Sequence, residues 1–96
     1  MLEQVTVTSK GPASIKPLLK AAIQSQLRTI EHGIKRTHER LGEFEKRYQM
    51  VSVEFEKGFE SGKIEESLDF IEWSGELKTL HILVDQLHSL QSAKVK

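Results

Sequence analysis

The chain has 96 residues and a mass of 11.0 kDa, so we expect one small domain and exclude a second one. Hydrophobic residues make up 38% and charged residues 29%, a balance typical of a folded chain. The absence of cysteine excludes disulfide bonds, thiolate metal sites and cysteine nucleophiles. No apolar run is long enough to span a membrane, and the N-terminus lacks the apolar core of a signal peptide. We therefore expect a cytoplasmic protein without a membrane partner.

The formal net charge is zero, but the charges are unevenly distributed. Residues 1–40 carry seven basic and three acidic side chains, whereas residues 41–96 carry seven basic and eleven acidic ones. The most acidic part is residues 53–76, with eight acids against Lys57 and Lys63. Such an asymmetry is typical either of two charged partner surfaces or of antiparallel helices that pair within an oligomer.

The first 13 residues predict an extended arm. Residues 4–8 alternate apolar and polar side chains and are rich in β-branched residues, which predicts a short strand. Gly11 and Pro12 then predict a loop. Because no second strand follows, the predicted strand has no partner within the chain and would stay frayed, pair with another subunit's copy or add to a partner's sheet.

A long helix is predicted over residues 14–48, with Ser14 as its N-cap and Pro17 in its first turn. Its apolar positions step by four and three residues, the heptad spacing of a helix that packs along another helix. These positions are Ile23, Leu27, Ile30, Ile34, Thr37, Leu41, Phe44 and Tyr48. Gly33 and Gly42 lie inside this helix, where glycine is unfavourable. Either the close approach of another helix or a kink explains their presence.

Two further helices are predicted. The first covers residues 52–60, with Ser52 as its N-cap and Gly62 as a left-handed stop after Ser61. The second covers residues 67–91, with Ser67 as its N-cap. The apolar stripe of this last helix has the same three-and-four spacing and consists of Phe70, Trp73, Leu77, Leu80, Val84 and Leu87, widened by Leu83 and Leu90.

Two matching stripes on long helices predict an all-α protein, a long antiparallel helical hairpin with a short connecting helix. The stripe on the last helix is wider than one neighbouring helix covers. We therefore expect the hairpin to associate with copies of itself, most simply as a dimer that forms a helical bundle.

Chemical motifs are absent. His32, His38, His81 and His88 do not have the spacing of a metal site on a helix, and no nucleophile or phosphate-binding motif occurs. The acids of residues 65–76 fit a solvated helix face. We expect no enzyme activity, no metal and no cofactor.

Part of the chain resembles a known family. The run from Glu43 to Met50 (EFEKRYQM), Phe55 and Phe59, Gly62, and the run from Asp69 to Trp73 (DFIEW) are similar to the pattern of a small archaeal and cyanobacterial protein family. Its members are often taken for the antitoxin components of toxin–antitoxin pairs. The resemblance spans roughly residues 28–88 and departs at Gln49, where the family usually has glycine. It implies an antitoxin-like role and no catalytic mechanism.

We therefore predict a non-enzymatic protein-interaction module, with a partner encoded by an adjacent gene. The predicted partner-binding residues belong to the acidic and aromatic region, namely Phe55, Phe59, Asp69, Phe70, Glu72 and Trp73. The aromatic side chains alternatively form a small core that closes the hairpin, and this second interpretation is the favoured one.

Two other hypotheses remain open. One is a dimeric DNA-binding regulator that contacts nucleic acid through Lys10, Lys16 and Lys20. It is favoured by residues 5–11, which resemble the opening strand of AbrB-like swapped-hairpin regulators. The other is a self-assembling helical protein that has no further partner.

Overall fold

A computed structural model describes the backbone of residues 12–93 and the side chains of residues 15–93. Within this part of the chain the protein has three helices and no strand: α1 (Pro12–Tyr48), α2 (Ser52–Glu60) and α3 (Leu68–Gln91). The all-α prediction is therefore confirmed for these residues. The predicted strand over residues 4–8 lies outside the described residues, as does most of the predicted arm.

The first helix starts earlier than its pattern predicts. It begins at Pro12, two residues before the expected N-cap at Ser14, so Ser14 lies inside its first turn. Proline suits the first position of a helix because its φ angle is already helical and its missing N–H would have no partner there. Pro17 consequently lies in the second turn, where it cannot donate a hydrogen bond to the carbonyl of Ala13.

The two long helices pack antiparallel, as predicted. Successive contacts along α1 and α3 run in opposite directions, from Arg40 with Glu76 to Arg47 with Asp69. Near the middle of the hairpin, a Cβ atom on Gly33 would lie 3.2 Å from Cδ1 of Leu83, so this glycine permits a close helix approach. A Cβ atom on Gly42 would meet nothing within 4 Å.

The hairpin is a rod of 60 × 22 × 20 Å with a radius of gyration of 18.8 Å. A compact domain of this length would have a radius of gyration of about 12–13 Å. The length follows from α1, whose 37 residues extend about 55 Å at 1.5 Å per residue. A rod of two helices has few interior positions, which explains why the fully buried residues are concentrated at one end.

The turn from α1 to α2 is made by Gln49, which has a left-handed φ angle of 53°. This conformation lets the N–H of Met50 donate to the carbonyl of Glu45 at 3.2 Å, the backbone bond of a Schellman motif. The amide side chain of Gln49 also donates to the carbonyl of Lys46 at 2.8 Å. The chain thus reverses direction without the glycine that usually occupies such a position.

Helix α2 is held between two turns. The prediction that Ser52 caps it was wrong: Val51 occupies the N-cap, and Ser52 is the first helical residue and is buried. At the other end Gly62 has a φ angle of 82°, which confirms its predicted left-handed conformation. The carbonyl of Gly58 accepts hydrogen bonds from the N–H groups of Lys63 and Ile64, and these bonds return the chain towards α3.

Helix α3 begins as predicted. Ser67 is its N-cap, and its hydroxyl accepts a hydrogen bond from the N–H of Phe70 at 3.1 Å. Every residue of the two predicted stripes is buried or half-buried in the hairpin.

Candidate partner-binding site

An aromatic cluster fills the closed end of the hairpin, where α2 lies across α1 and α3. The indole of Trp73 is stacked between two rings, with centroids 3.9 Å from Phe55 and 5.5 Å from Phe44. Tyr48 and Phe70 pack edge to face at the side of this stack, 4.9 Å apart. The side chains of Phe55 and Trp73 are completely buried, so the aromatic residues form the core that closes the hairpin.

One polar contact fixes α2 on this cluster. The indole N–H of Trp73 donates to the hydroxyl of Ser52 at 2.9 Å, and both groups are buried. The backbone N–H of Ser52 donates in turn to a carboxylate oxygen of Glu45 at 2.8 Å. Ser52 is therefore at the start of α2 because its hydroxyl satisfies a buried indole, and not because it caps the helix.

Asp69 has an internal role. Its carboxylate accepts hydrogen bonds from the Tyr48 hydroxyl and from the Arg47 guanidinium, the latter at 2.9 Å. These two donors, first Tyr48 and then Arg47, hold the pKa of Asp69 below its ordinary value. The same hydrogen bond raises the pKa of Tyr48, because ionising the phenol would leave two negative groups in contact.

The predicted partner-binding residues are thus divided by burial. Phe55 and Trp73 present no side-chain surface to a partner in this fold. Phe59, Phe70 and Asp69 are half-buried in or beside the cluster, and Glu72 alone is exposed. The structure brings all six residues to the closed end of the hairpin, but mainly as the layer beneath its surface.

The surface above this cluster is acidic. Within the acidic segment (residues 53–76), three acids are paired inside the protein: Glu56 with His81, Asp69 with Arg47, and Glu76 with Arg40. The other five are exposed and form no ion pair with the described residues, namely Glu54, Glu60, Glu65, Glu66 and Glu72. Three exposed apolar residues lie within this segment or just before it: Val51, Val53 and Leu68.

Of the predicted nucleic-acid contacts, Lys16 and Lys20 are exposed one turn apart near the start of α1. Lys10 lies outside the described residues. The four histidines are exposed, and His81 contacts Glu56 at 3.3 Å. No group of three or more metal-ligating side chains occurs in the part of the chain that the structure describes.

Sequence analysis missed a second surface, the outer face of α3. The positions opposite the hairpin seam are exposed, and Lys78 is the one charged residue among them: Leu68, Ile71, Gly75, Lys78, Thr79, Ile82, Gln86 and Ser89. The corresponding face of α1 is also exposed but strongly polar: Arg28, His32, Lys35, Arg36, Glu39, Glu43 and Lys46. Helical spacing could have revealed this contrast, but the stronger stripe on the inner face of α3 obscured it.

These features define a two-helix antiparallel hairpin whose closed end is covered by a short third helix, with an acidic surface at that end. No described helix has the length and apolar character needed to cross a membrane. No family model, curated protein or solved structure matches the chain.

Proposed function

We propose that this protein is a non-enzymatic protein-interaction module that associates with copies of itself as a helical bundle and binds a basic partner through its acidic end. The observation that carries the proposal is the set of five exposed carboxylates in the acidic segment beside exposed Val51 and Val53. Lys57 and Lys63 are also exposed in this segment, so the carboxylates are in excess there without being its only charges. Apolar side chains beside an excess of negative charge provide contact area, and the charge favours a basic partner.

The aromatic cluster supports this surface without forming it. Phe55 and Trp73 fix α2 against α1 and α3, so the carboxylates of α2 keep a defined spacing relative to those that precede α3. A preorganised surface loses less conformational entropy on binding than a flexible acidic segment does. Partner binding therefore depends indirectly on the buried rings and directly on the exposed carboxylates.

The resemblance of residues 28–88 to a family whose members are often taken for antitoxin components supports an antitoxin-like role, in which the acidic end covers a basic functional surface of a toxin. The test is to co-express the chain with the protein encoded by the adjacent gene and to measure both growth and co-purification. We expect the neighbour alone to inhibit growth and the pair to co-purify, with affinity that falls as salt rises. A harmless neighbour that does not co-purify would overturn the antitoxin role.

A pair of double variants locates the binding surface. Glu65→Lys with Glu66→Lys reverses two exposed charges of the acidic segment, and we expect it to weaken binding at least about tenfold. Glu31→Lys with Glu39→Lys makes the same change in net charge at exposed positions of α1. Equal losses in both double variants would show that only net charge matters and would refute a local binding surface.

DNA binding is the second candidate function, favoured by the exposure of Lys16 and Lys20 on successive turns. It predicts a steep loss of DNA affinity with salt and a shallower salt dependence after both lysines are replaced by alanine. Binding that is insensitive to both changes would exclude this candidate.

A further inference from the structure

The outer face of α3 leaves large apolar side chains in water. Leu68, Ile71 and Ile82 are 85%, 51% and 56% exposed, although they belong to the same helix that buries Trp73 and Leu77. Charged residues make up 29% of the chain, yet only one of the eight outer positions on this helix, Lys78, carries a charge. Large apolar side chains that stay exposed along one helix face indicate an interaction surface.

The pattern on this face is symmetric about Gly75. Leu68 and Ile82 lie seven residues to either side of it, and Ile71 and Thr79 lie four residues to either side. In an interface with two-fold symmetry, a contact from one residue to a second residue of the other copy is repeated in the reverse direction, so a pattern that is symmetric about one residue is self-complementary. In an antiparallel pair centred on Gly75, Leu68 would contact Ile82 of the second copy.

Gly75 has no role within the hairpin. A Cβ atom at this position would meet nothing within 4 Å, and its φ angle is not positive. Glycine in an exposed helix interior destabilises the helix by about 1 kcal/mol relative to alanine. At the centre of a helix pair, by contrast, the absence of a side chain allows the two backbones to approach closely.

We propose that two copies of this chain associate through the outer faces of their α3 helices, antiparallel and centred on Gly75. This proposal rests on the self-association put forward under the proposed function and names its surface. The charged outer faces of α1 then lie on the two outer sides of a four-helix assembly, in contact with water.

The area of the outer face of α3 limits the affinity of the proposed dimer. Residues 68–82 extend about 21 Å along the helix. A patch of this length on one helix is smaller than the roughly 800 Å² per partner of a standard stable interface. We therefore expect a reversible dimer that dissociates at about micromolar concentration, with the measured mass rising from 11.0 kDa towards twice that value.

Cysteine crosslinking tests the geometry because the natural chain contains no cysteine. Packed helix axes are about 8–10 Å apart and Cα atoms lie about 2.3 Å from each axis, so facing Cα atoms at the centre are roughly 3.4–5.4 Å apart. This range overlaps the separation that a disulfide bond spans. We expect Gly75→Cys to form a disulfide-linked dimer on mild oxidation, with release of two electrons and two protons to the added oxidant.

Two further single-cysteine variants determine the direction of the helices. Leu68→Cys and Ile82→Cys should each fail to crosslink with themselves, whereas a mixture of the two should form a mixed dimer with a short bismaleimide. Self-crosslinking of all three variants would show parallel helices and overturn the proposal.

Sedimentation velocity over a wide concentration range distinguishes the remaining outcomes. We expect Ile82→Glu to weaken dimerisation at least about tenfold and His32→Glu, the control on the outer face of α1, to leave it unchanged. A dimer that Ile82→Glu does not weaken and Gly75→Cys does not crosslink would overturn this interface but not self-association. A monomer at every concentration would overturn both, while partner binding by the acidic end would still be judged by its own charge-reversal variants.

Discussion

Trp73 is the residue on which the closed end of the hairpin depends most. It is completely buried, its indole is stacked between Phe44 and Phe55, and its N–H is satisfied by Ser52. Truncation of a buried tryptophan to alanine costs about 3–5 kcal/mol. A chain of this length is stable by about 5–14 kcal/mol, so we expect Trp73→Ala to remove a large part of its free energy of unfolding.

A double-mutant cycle separates the hydrogen bond from the packing. Ser52→Ala leaves the buried indole N–H without its acceptor and should destabilise the protein by about 1–3 kcal/mol. Trp73→Phe removes the donor and part of the ring. In the double variant neither group is left unpaired, so we expect the combined loss to be smaller than the sum of the single losses.

The assay is urea unfolding at a low, constant protein concentration, followed by circular dichroism for every variant. Trp73 is the only tryptophan, so its emission also reports unfolding of the wild type and of Ser52→Ala without a label. Emission typical of water-exposed indole in the wild type, or a Trp73→Ala variant that unfolds like the wild type, would refute the packing described for α3. Strictly additive losses in the cycle would refute the Ser52 contact.

Three further predictions concern turns and electrostatics. Gly58→Ala should lower the free energy of unfolding by about 1–3 kcal/mol, because the new Cβ atom would lie 2.7 Å from Cδ1 of Ile64. Gly42→Ala, whose Cβ atom meets no neighbour within 4 Å, should raise the free energy of unfolding by up to about 1 kcal/mol. Urea unfolding that reverses the order of the two variants would contradict the described packing. Gln49→Gly should raise the melting temperature, because glycine adopts the left-handed φ angle of 53° without steric strain. This gain should exceed the loss of the hydrogen bond from the Gln49 side chain to the carbonyl of Lys46. A large destabilisation would show that the hydrogen bond is the stronger effect. Asp69 has a lowered pKa in the folded state, so its contribution to the free energy of unfolding is complete above its unfolded pKa of about 4 and is lost as the pH falls further. Asp69→Asn should therefore flatten the dependence of the free energy of unfolding on acid pH. An unchanged pH profile would argue against the contact with Tyr48.

Local pattern alone determined the helices and the seam of the hairpin. Every position that the three-and-four spacing of apolar residues identified is buried or half-buried in the hairpin, because burial on a helix repeats with its turn. Likewise, the Ser67 cap and the left-handed Gly62 depend on residues only a few positions apart. Such features are predictable because the interacting groups are close in sequence.

Only the tertiary structure decided what the side chains do at the closed end. The hydroxyl of Ser52 accepts a hydrogen bond from the indole of Trp73, 21 residues away. The carboxylate of Asp69 accepts hydrogen bonds from Tyr48 and Arg47. Both residues looked like surface or capping groups in the sequence, because their partners come from other helices. Helical spacing already places the residues of the outer face of α3 together. That this face stays exposed, while the outer face of α1 carries the charges, is shown only by the packed hairpin. Local periodicity fixes which residues share a face, whereas the packing of separate helices determines whether that face meets protein or water.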